Sequence, residues 1–290
     1  MILEVNNLSK KYRQVTILDN VSFKLHEGQI VALVGPNGSG KSTLLNILTN
    51  LEQADYGTVT LCGKDHKDSK VFKEVSYMQD NSVLYDYLTG YDHLQFICQV
   101  QQLPKERILE VSNEVGNEAY LHKKVKHYSL GMKQHLLLAM AVINRPKILI
   151  LDEPLNGLDP SSAIRVRHLL RQYRDEGMTV LLSSHNLNEI DQLTSNVLFI
   201  KDGQILHETL TLKESYSLHT SDNVHATHIL KEQQYEITTN EQALTVSKQG
   251  LIVDKLFMLL QQHDIRILQI ERIRLGTEDR YKAIFEGGDN

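Results

Sequence analysis

Gly35-Pro36-Asn37-Gly38-Ser39-Gly40-Lys41-Ser42 sets glycines, a lysine and a hydroxyl at the spacing Gly, four residues, Gly-Lys-Ser, which is that of a phosphate-binding P-loop. Glycines let successive backbone N–H groups converge on an anion, and a helix start adds partial positive charge. Lys41 then offers a point charge to the β- and γ-phosphates of a nucleoside triphosphate, and Ser42 a hydroxyl ligand for Mg²⁺. Far along the chain, Asp152-Glu153 follows the apolar run Ile148-Leu149-Ile150-Leu151. An aspartate there can hold Mg²⁺ and a glutamate can polarise water. His185 ends a third run of the same kind, Val180 to Ser184. The plainer readings are a glycine turn, a charged strand end and a structural histidine. The flanks argue against the first and the presence of the P-loop against the second, since context separates the motif from accident.

Elements must bring these groups together. Gln29 to Val34 predicts a buried parallel strand and Ser42 to Thr49 a helix ending near Asn50. Ligands of a parallel α/β sheet bind beyond the carboxyl ends of its strands, so Asp152 and Glu153 are expected beside the P-loop. Ile2 to Asn6 reads as a first strand, Gln14 to Leu25 as strands and turns, and Tyr12 between them as an ordinary strand-end residue or an adenine-stacking face. Thr58 to Leu61 and the end of Val71 to Met78 predict further strands, the last stopping at Gln79. From Asn81 to about Val142 the pattern is helical, with Leu94, Phe96, Ile97 and Val100 expected as a core stripe. Lys123, Lys124, Lys126 and His127 read as a solvated basic run. Ser129 and Gly131 precede an apolar helix and could present N–H groups to a phosphate, as any N-cap could. Asn156 to Pro160 predicts a turn, and Ser161 to about Asp175 a helix with arginines on its polar face. Asp202-Gly203 signals a hairpin. After Thr211 the pattern breaks. Tyr235 to Thr238, Leu244 to Ser247 and Ile265 to Ile270 read as strands and Leu251 to Gln262 as a helix. The expected division is an α/β domain over 1–215, its helical subdomain about 81–142, and a small α+β appendage over 216–290.

Composition bounds the rest. In 290 residues, 41% hydrophobic and 23% charged content allows a sizeable core. A net charge of −5 disfavours nucleic-acid binding through a basic face. No run approaches the roughly 18 apolar residues of a membrane span, and the start lacks a secretory signal pattern. Cys62 and Cys98 have no metal-like spacing. A cytosolic chain is expected, reaching any membrane through a partner.

Taken in order, the P-loop, Gln79, Ser129-Leu130-Gly131, Asp152-Glu153, Asp159 and His185 resemble the ATP-binding subunit of ABC transporters over roughly residues 1–211. The resemblance implies the ABC ATPase variant of the P-loop NTPase fold, a mixed sheet core with a helical subdomain. It implies ATP and Mg²⁺ bound by residues 35–42 with Thr43, with Gln79 a further Mg²⁺ ligand beside Ser42 and Asp152. Tyr12 becomes the adenine-stacking aromatic, Glu153 the catalytic glutamate and His185 the switch histidine at the γ-phosphate. Ser129, Gly131 and Asp159 face a second ATPase subunit. The signature Tyr128-Ser129-Leu130-Gly131-Met132, with Gln134 beyond it, departs from the common Leu-Ser-Gly-Gly-Gln at Leu130 and Met132. The form is similar to the drug- and peptide-export branch with separate polypeptides, and to antimicrobial-peptide and phenol-soluble-modulin exporters. The implied partners are a membrane permease and a second cassette, at the inner face of the membrane. A soluble ABC protein acting on ribosomes or DNA would carry two cassettes or a coiled-coil insertion, and neither is seen. A regulatory cassette without turnover is supported only by the altered signature.

Overall fold

The computed structural model describes residues 1–210, 213–239, 243–247 and 253–286, which group into two compact units, Met1–Thr209 and Leu210–Asn290. The first unit carries two sheets. An antiparallel one runs β2-β1-β4-β5, from β1 (Leu3–Tyr12), β2 (Val15–Leu25), β4 (Tyr56–Leu61) and β5 (Lys64–Asp65). A larger one runs β10-β9-β3-β8-β7-β6. Its parallel members are β3 (Ile30–Val34), β6 (Val75–Met78), β7 (Ile148–Leu151), β8 (Thr179–Ser183) and β9 (Asn196–Lys201). The antiparallel edge β10 (Gln204–Thr209) returns through Asp202 and Gly203, both at positive φ, as a tight hairpin requires.

Every residue of β3, β7 and β8 is buried, and the strand period of two sends alternate side chains into different cores. Ile148 and Ile150 join Leu44, Leu45, Ile47 and Leu48 of α1 (Lys41–Leu48), together with the antiparallel sheet. Leu149 and Leu151 join the core packed by α2 (Gly90–Gln101), α3 (Glu106–Val115), α4 (Leu130–Val142) and α5 (Pro160–Asp175). A short helix α6 (Leu187–Asp191) follows β8.

Several expectations are corrected. β1 runs on to Tyr12, with Arg13 at φ 56 making the turn, and Gln14 to Leu25 resolves into the single strand β2. Leu94 is buried and Ile97 partly so, but Phe96 and Val100 are 66% and 64% exposed. The helix is two-faced there, and the apolar residues do not form one stripe. Arg167 of α5 is buried against Glu189 of α6, so the arginines of α5 do not all lie on a solvated face.

The second unit follows the order β11 (Lys213–Thr220), α7 (Asn223–Glu232), β12 (Glu236–Thr239), β13 (Leu244–Ser247), α8 (Val253–Gln262), β14 (Ile267–Leu275), α9 (Thr277–Phe285). The sheet order is β12-β13-β11-β14, antiparallel throughout. Two interlocked β-α-β units of this order make the ferredoxin-like split plan. Its core gathers Tyr216 and Leu218, Ile229 and Leu230, Leu244 and Val246, and Leu256 and Leu260. The expected strand at Ile265 starts instead at Ile267, while Ile265 is a buried residue ahead of it. The expected break at Thr211 and the helix start at Leu251 lie outside the described residues. The expected boundary at 215/216 falls inside β11.

Candidate functional site

β3 ends in the loop that holds Lys41, and two features of that loop require glycine. A Cβ on Gly35 would come within 2.6 Å of the Ile200 side chain and of Ser39 Oγ. Gly40, the N-cap of α1, sits at φ 102, a left-handed backbone that L side chains resist. Lys41 is 8% exposed and donates from Nζ to Gly35 O at 2.7 Å and Pro36 O at 3.1 Å. Burial holds its ammonium below the usual lysine range, and the negative charges of Glu153 and Asp152 oppose that shift.

The ends of β7 and β8 meet the loop. Ser42 Oγ donates to Asp152 Oδ2 at 2.9 Å. On the other side, Ser183 Oγ donates to Asp152 Oδ1 and accepts from Glu153 N–H at 2.9 Å. Ser183 thus fixes both carboxylate residues. Its only sequence signal is its place at the tip of a buried strand, which marks no role. Glu153 has φ 49, a left-handed conformation costing about 1–2 kcal/mol in a non-glycine residue. That backbone, held from Ser183, turns the carboxylate towards His185, whose Nδ1 lies 2.8 Å from Glu153 Oε2.

A cavity of about 430 Å³ gathers Asn37, Gly38, Gly40, Lys41, Ser42 and Thr43 with Asp152 and Glu153. Gln134 of the signature segment also lines it, as do Asp80, Asn81 and Asn156, which the sequence gives no role at the site. Gln79 lines the neighbouring cavity, with Tyr77, Ile97 and Met140. Tyr12 is absent from the lining, and its phenol donates to Glu52.

Ser129, Gly131 and Asp159 lie together in a separate cavity of about 490 Å³ with Tyr120, His135 and Arg165. Ser129 caps α4, accepting from Met132 N–H at 3.3 Å. Asp159 caps α5, accepting from Ser161 and Ser162 N–H at 3.0 and 3.1 Å, ahead of Pro160 in the first turn. Hydrogen bonds from both serines hold the Asp159 carboxyl well below the usual carboxylate range. Leu130 instead faces the P-loop cavity, and a Cβ on Gly157 would collide with it at 2.1 Å. The leucine of the altered signature is therefore seated against a glycine.

Among the described residues no cluster of three or more His, Cys, Asp or Glu side chains could hold a metal ion. The oxygen pair of Ser42 and Asp152 suits a hard cation that keeps most of its water, as Mg²⁺ does. Among the same residues no helix is long and apolar enough to cross a membrane.

The family pattern described as ABC transporter matches residues 18–156. The ABC transporter ATP-binding protein YhcH of Bacillus subtilis (strain 168) is 34% identical over 290 residues, covering 97% of this chain and 94% of its own. The lantibiotic transport ATP-binding protein SrtF of Streptococcus pyogenes is 38% identical over 207 residues, 71% of this chain and 90% of its own. The dimeric cassette MJ0796, solved in a post-hydrolysis state with ADP and Pi, matches at TM-score 0.67 and 25% identity, covering 72% of this chain and 99% of its own. With its phosphate loop, paired carboxylates and histidine assembled at the ends of the parallel strands of one sheet, the chain belongs to the ATP-hydrolysing, ATP-binding subunits of ABC transporters.

Proposed function

We propose that the subunit works in a head-to-tail pair and powers export of a peptide or drug-like amphipathic substrate through a separate membrane permease. The observation that carries the pairing is the division of the motifs within one chain. Ser129 and Gly131 open on one cavity while Lys41, Ser42 and Glu153 line another. Both sets engage one triphosphate when a second subunit brings its Ser129–Gly131 segment to this P-loop. The likeness to SrtF, a lantibiotic transport protein, supports the export reading and the substrate class.

In this reading residues 35–43 bind the triphosphate by converging N–H groups and the Lys41 charge. Ser42 and Asp152, joined by Gln79, would hold Mg²⁺, which would supply charge neutralisation to the triphosphate. Glu153 accepts hydrogen-bonding from the attacking water and His185 orients at the γ-phosphate, their mutual contact setting both side chains. Tyr12 stacks on adenine. The groove beside Gln79, lined by Phe72, Ile97, Gln101 and Met140, receives the permease, with the exposed Phe96 on the same helix as Ile97. Motion at the nucleotide then passes through Gln79 to the helical subdomain. The subunit lies at the inner face of the membrane through that contact.

Glu153→Gln tests the engine. It keeps shape and removes the charge that activates water, so ATP binding persists while hydrolysis falls about 10²-fold or more. Light scattering after size exclusion should then show twice the monomer mass with ATP and monomer with ADP, or a mixed pair if the natural mate is a different cassette. Full ATPase activity in the variant removes Glu153 from the mechanism.

A further inference from the structure

The stretch after α1 is laced to the end of β1, and Tyr12 sits in the lacing. Glu52 N–H donates to Asn46 O of α1 at 3.2 Å, and Asp55 N–H donates to Ser9 O at 2.9 Å. Lys11 N–H returns to Asp55 Oδ2 at 2.7 Å. Within this frame the Tyr12 phenol donates to Glu52 Oε1. Lys10 Nζ lies 3.1 Å from the same oxygen and donates to Gln53 O at 2.6 Å. The ammonium also stands over the tyrosine ring, 5.2 Å from its centroid, inside the range of a cation–π contact.

The burial is uneven. Lys10 and Glu52 side chains are only 13% and 21% exposed, although both are charged, while Tyr12 is 45% exposed. Two ionised groups are therefore spent inward to hold the edge and one face of an aromatic ring whose remainder stays open. A surface tyrosine satisfied by water needs no such arrangement, and ordering three long side chains costs rotamer entropy. That cost is recovered if the ring must stand at one angle. Glu52 gives the angle a reference, because its N–H is bonded to Asn46 O of α1, the helix that the P-loop opens.

We propose that Lys10 and Glu52 are positioning residues for base recognition: they fix the Tyr12 ring against α1 so that its uncovered face is preset for the adenine of a nucleotide held by the P-loop. The inference rests on the adenine-stacking reading of Tyr12 and adds what makes that ring a rigid platform. Preorganisation raises affinity by removing an ordering cost that binding would otherwise meet. Its effect is confined to ligands that carry a base.

Equilibrium binding of ATP and of inorganic tripolyphosphate, measured on the full chain, separates base from phosphate recognition. Glu52→Ala should weaken ATP roughly three- to tenfold, part of what base–aromatic stacking supplies, and leave tripolyphosphate unchanged. Glu52→Gln keeps an acceptor for the phenol and should recover most of the loss. Tyr12→Phe should reproduce the Glu52→Ala loss, and the double variant should add nothing to either, as expected of partners in one contact. Lys10→Met should shift ATP affinity in the same direction. If Tyr12→Ala binds ATP poorly but Glu52→Ala and Tyr12→Phe bind as wild type, the ring stacks without its tether and the inference is overturned. Equal loss of ATP and tripolyphosphate in Glu52→Ala would overturn it too, by showing damage to the P-loop. Wild-type affinity in Tyr12→Ala brings down the stacking reading itself, a result told from the others by that one variant.

Discussion

A lysine ammonium has three donors, and Lys41 gives two of its bonds to the carbonyls of its own loop, at Gly35 and Pro36. A triphosphate therefore competes with internal partners for that charge, and only a ligand with several anionic oxygens offers enough in exchange. Lys41→Ala should weaken ATP binding roughly ten- to a hundredfold, the worth of a charged hydrogen bond, as read by calorimetric titration. Near-normal affinity would reject the phosphate reading of the loop. At this scale the sequence is most legible where charge is concentrated. Lys41 and Ser42 open α1 while Asp152, Glu153 and His185 follow strand ends, and the structure bonds Ser42 to Asp152 and brings His185 to Glu153. Ser183 escapes such reading because one hydroxyl at a strand tip looks like any other, although it holds the backbone of Glu153 and the carboxylate of Asp152.

Glu74 joins three elements at the edge of the larger sheet. Its carboxylate reaches Lys147, just before β7, at 2.7 Å and Lys64 of β5 at 2.5 Å, while its carbonyl accepts from Lys147 and Ile148 N–H. Hydrogen bonds first from Lys147 and then from Lys64 lower its carboxyl from 4.5 to about 2. A depressed carboxylate stabilises the fold above its unfolded value and loses that contribution as pH falls through the folded one. Glu74→Gln should therefore melt below wild type at pH 7, and the gap should close between about pH 4.5 and 2. A gap that stays constant across that window would mean the ion pairs carry none of it. The central strands of this sheet are plain in the sequence, since Ile148–Leu151 and Val180–Leu182 are unbroken apolar runs. Periodicity fails in α2, because Phe96 and Val100 fit a helical stripe by spacing yet face outward. Spacing gives a shared face of a helix; it does not say whether that face is covered. The extension of β1 to Tyr12 was hidden for another reason. Its charged end is held by hairpin pairing with β2, where Tyr12 stands opposite Val15, and by Asp55, which is distant in sequence.

The second unit shows the same limit on a larger scale. Its β12, β13, α8 and β14 are visible as local patterns while β11, α7 and α9 are not, and the order β12-β13-β11-β14 depends on β11 pairing with β13 and β14, from Leu218 opposite Leu244 to Lys213 opposite Leu275, which no local pattern encodes. Phosphate-site chemistry was read only from the first unit, and we expect the second to contribute no group to catalysis. The apolar clusters make this concrete. Every residue of the Tyr216–Ile270 cluster belongs to the second unit, and every residue of the other two clusters belongs to the first. Chains whose cores share no side chain need not melt together. Scanning calorimetry of the full protein should resolve two endotherms, and saturating Mg-ATP should raise the temperature of one alone, since a ligand stabilises only what it binds in the native state. A single transition that moves as a whole would show the units to be one cooperative body. If two appear, heat can disable the accessory module while the motor still holds nucleotide, so the machine has a graded response to temperature written into its division of cores.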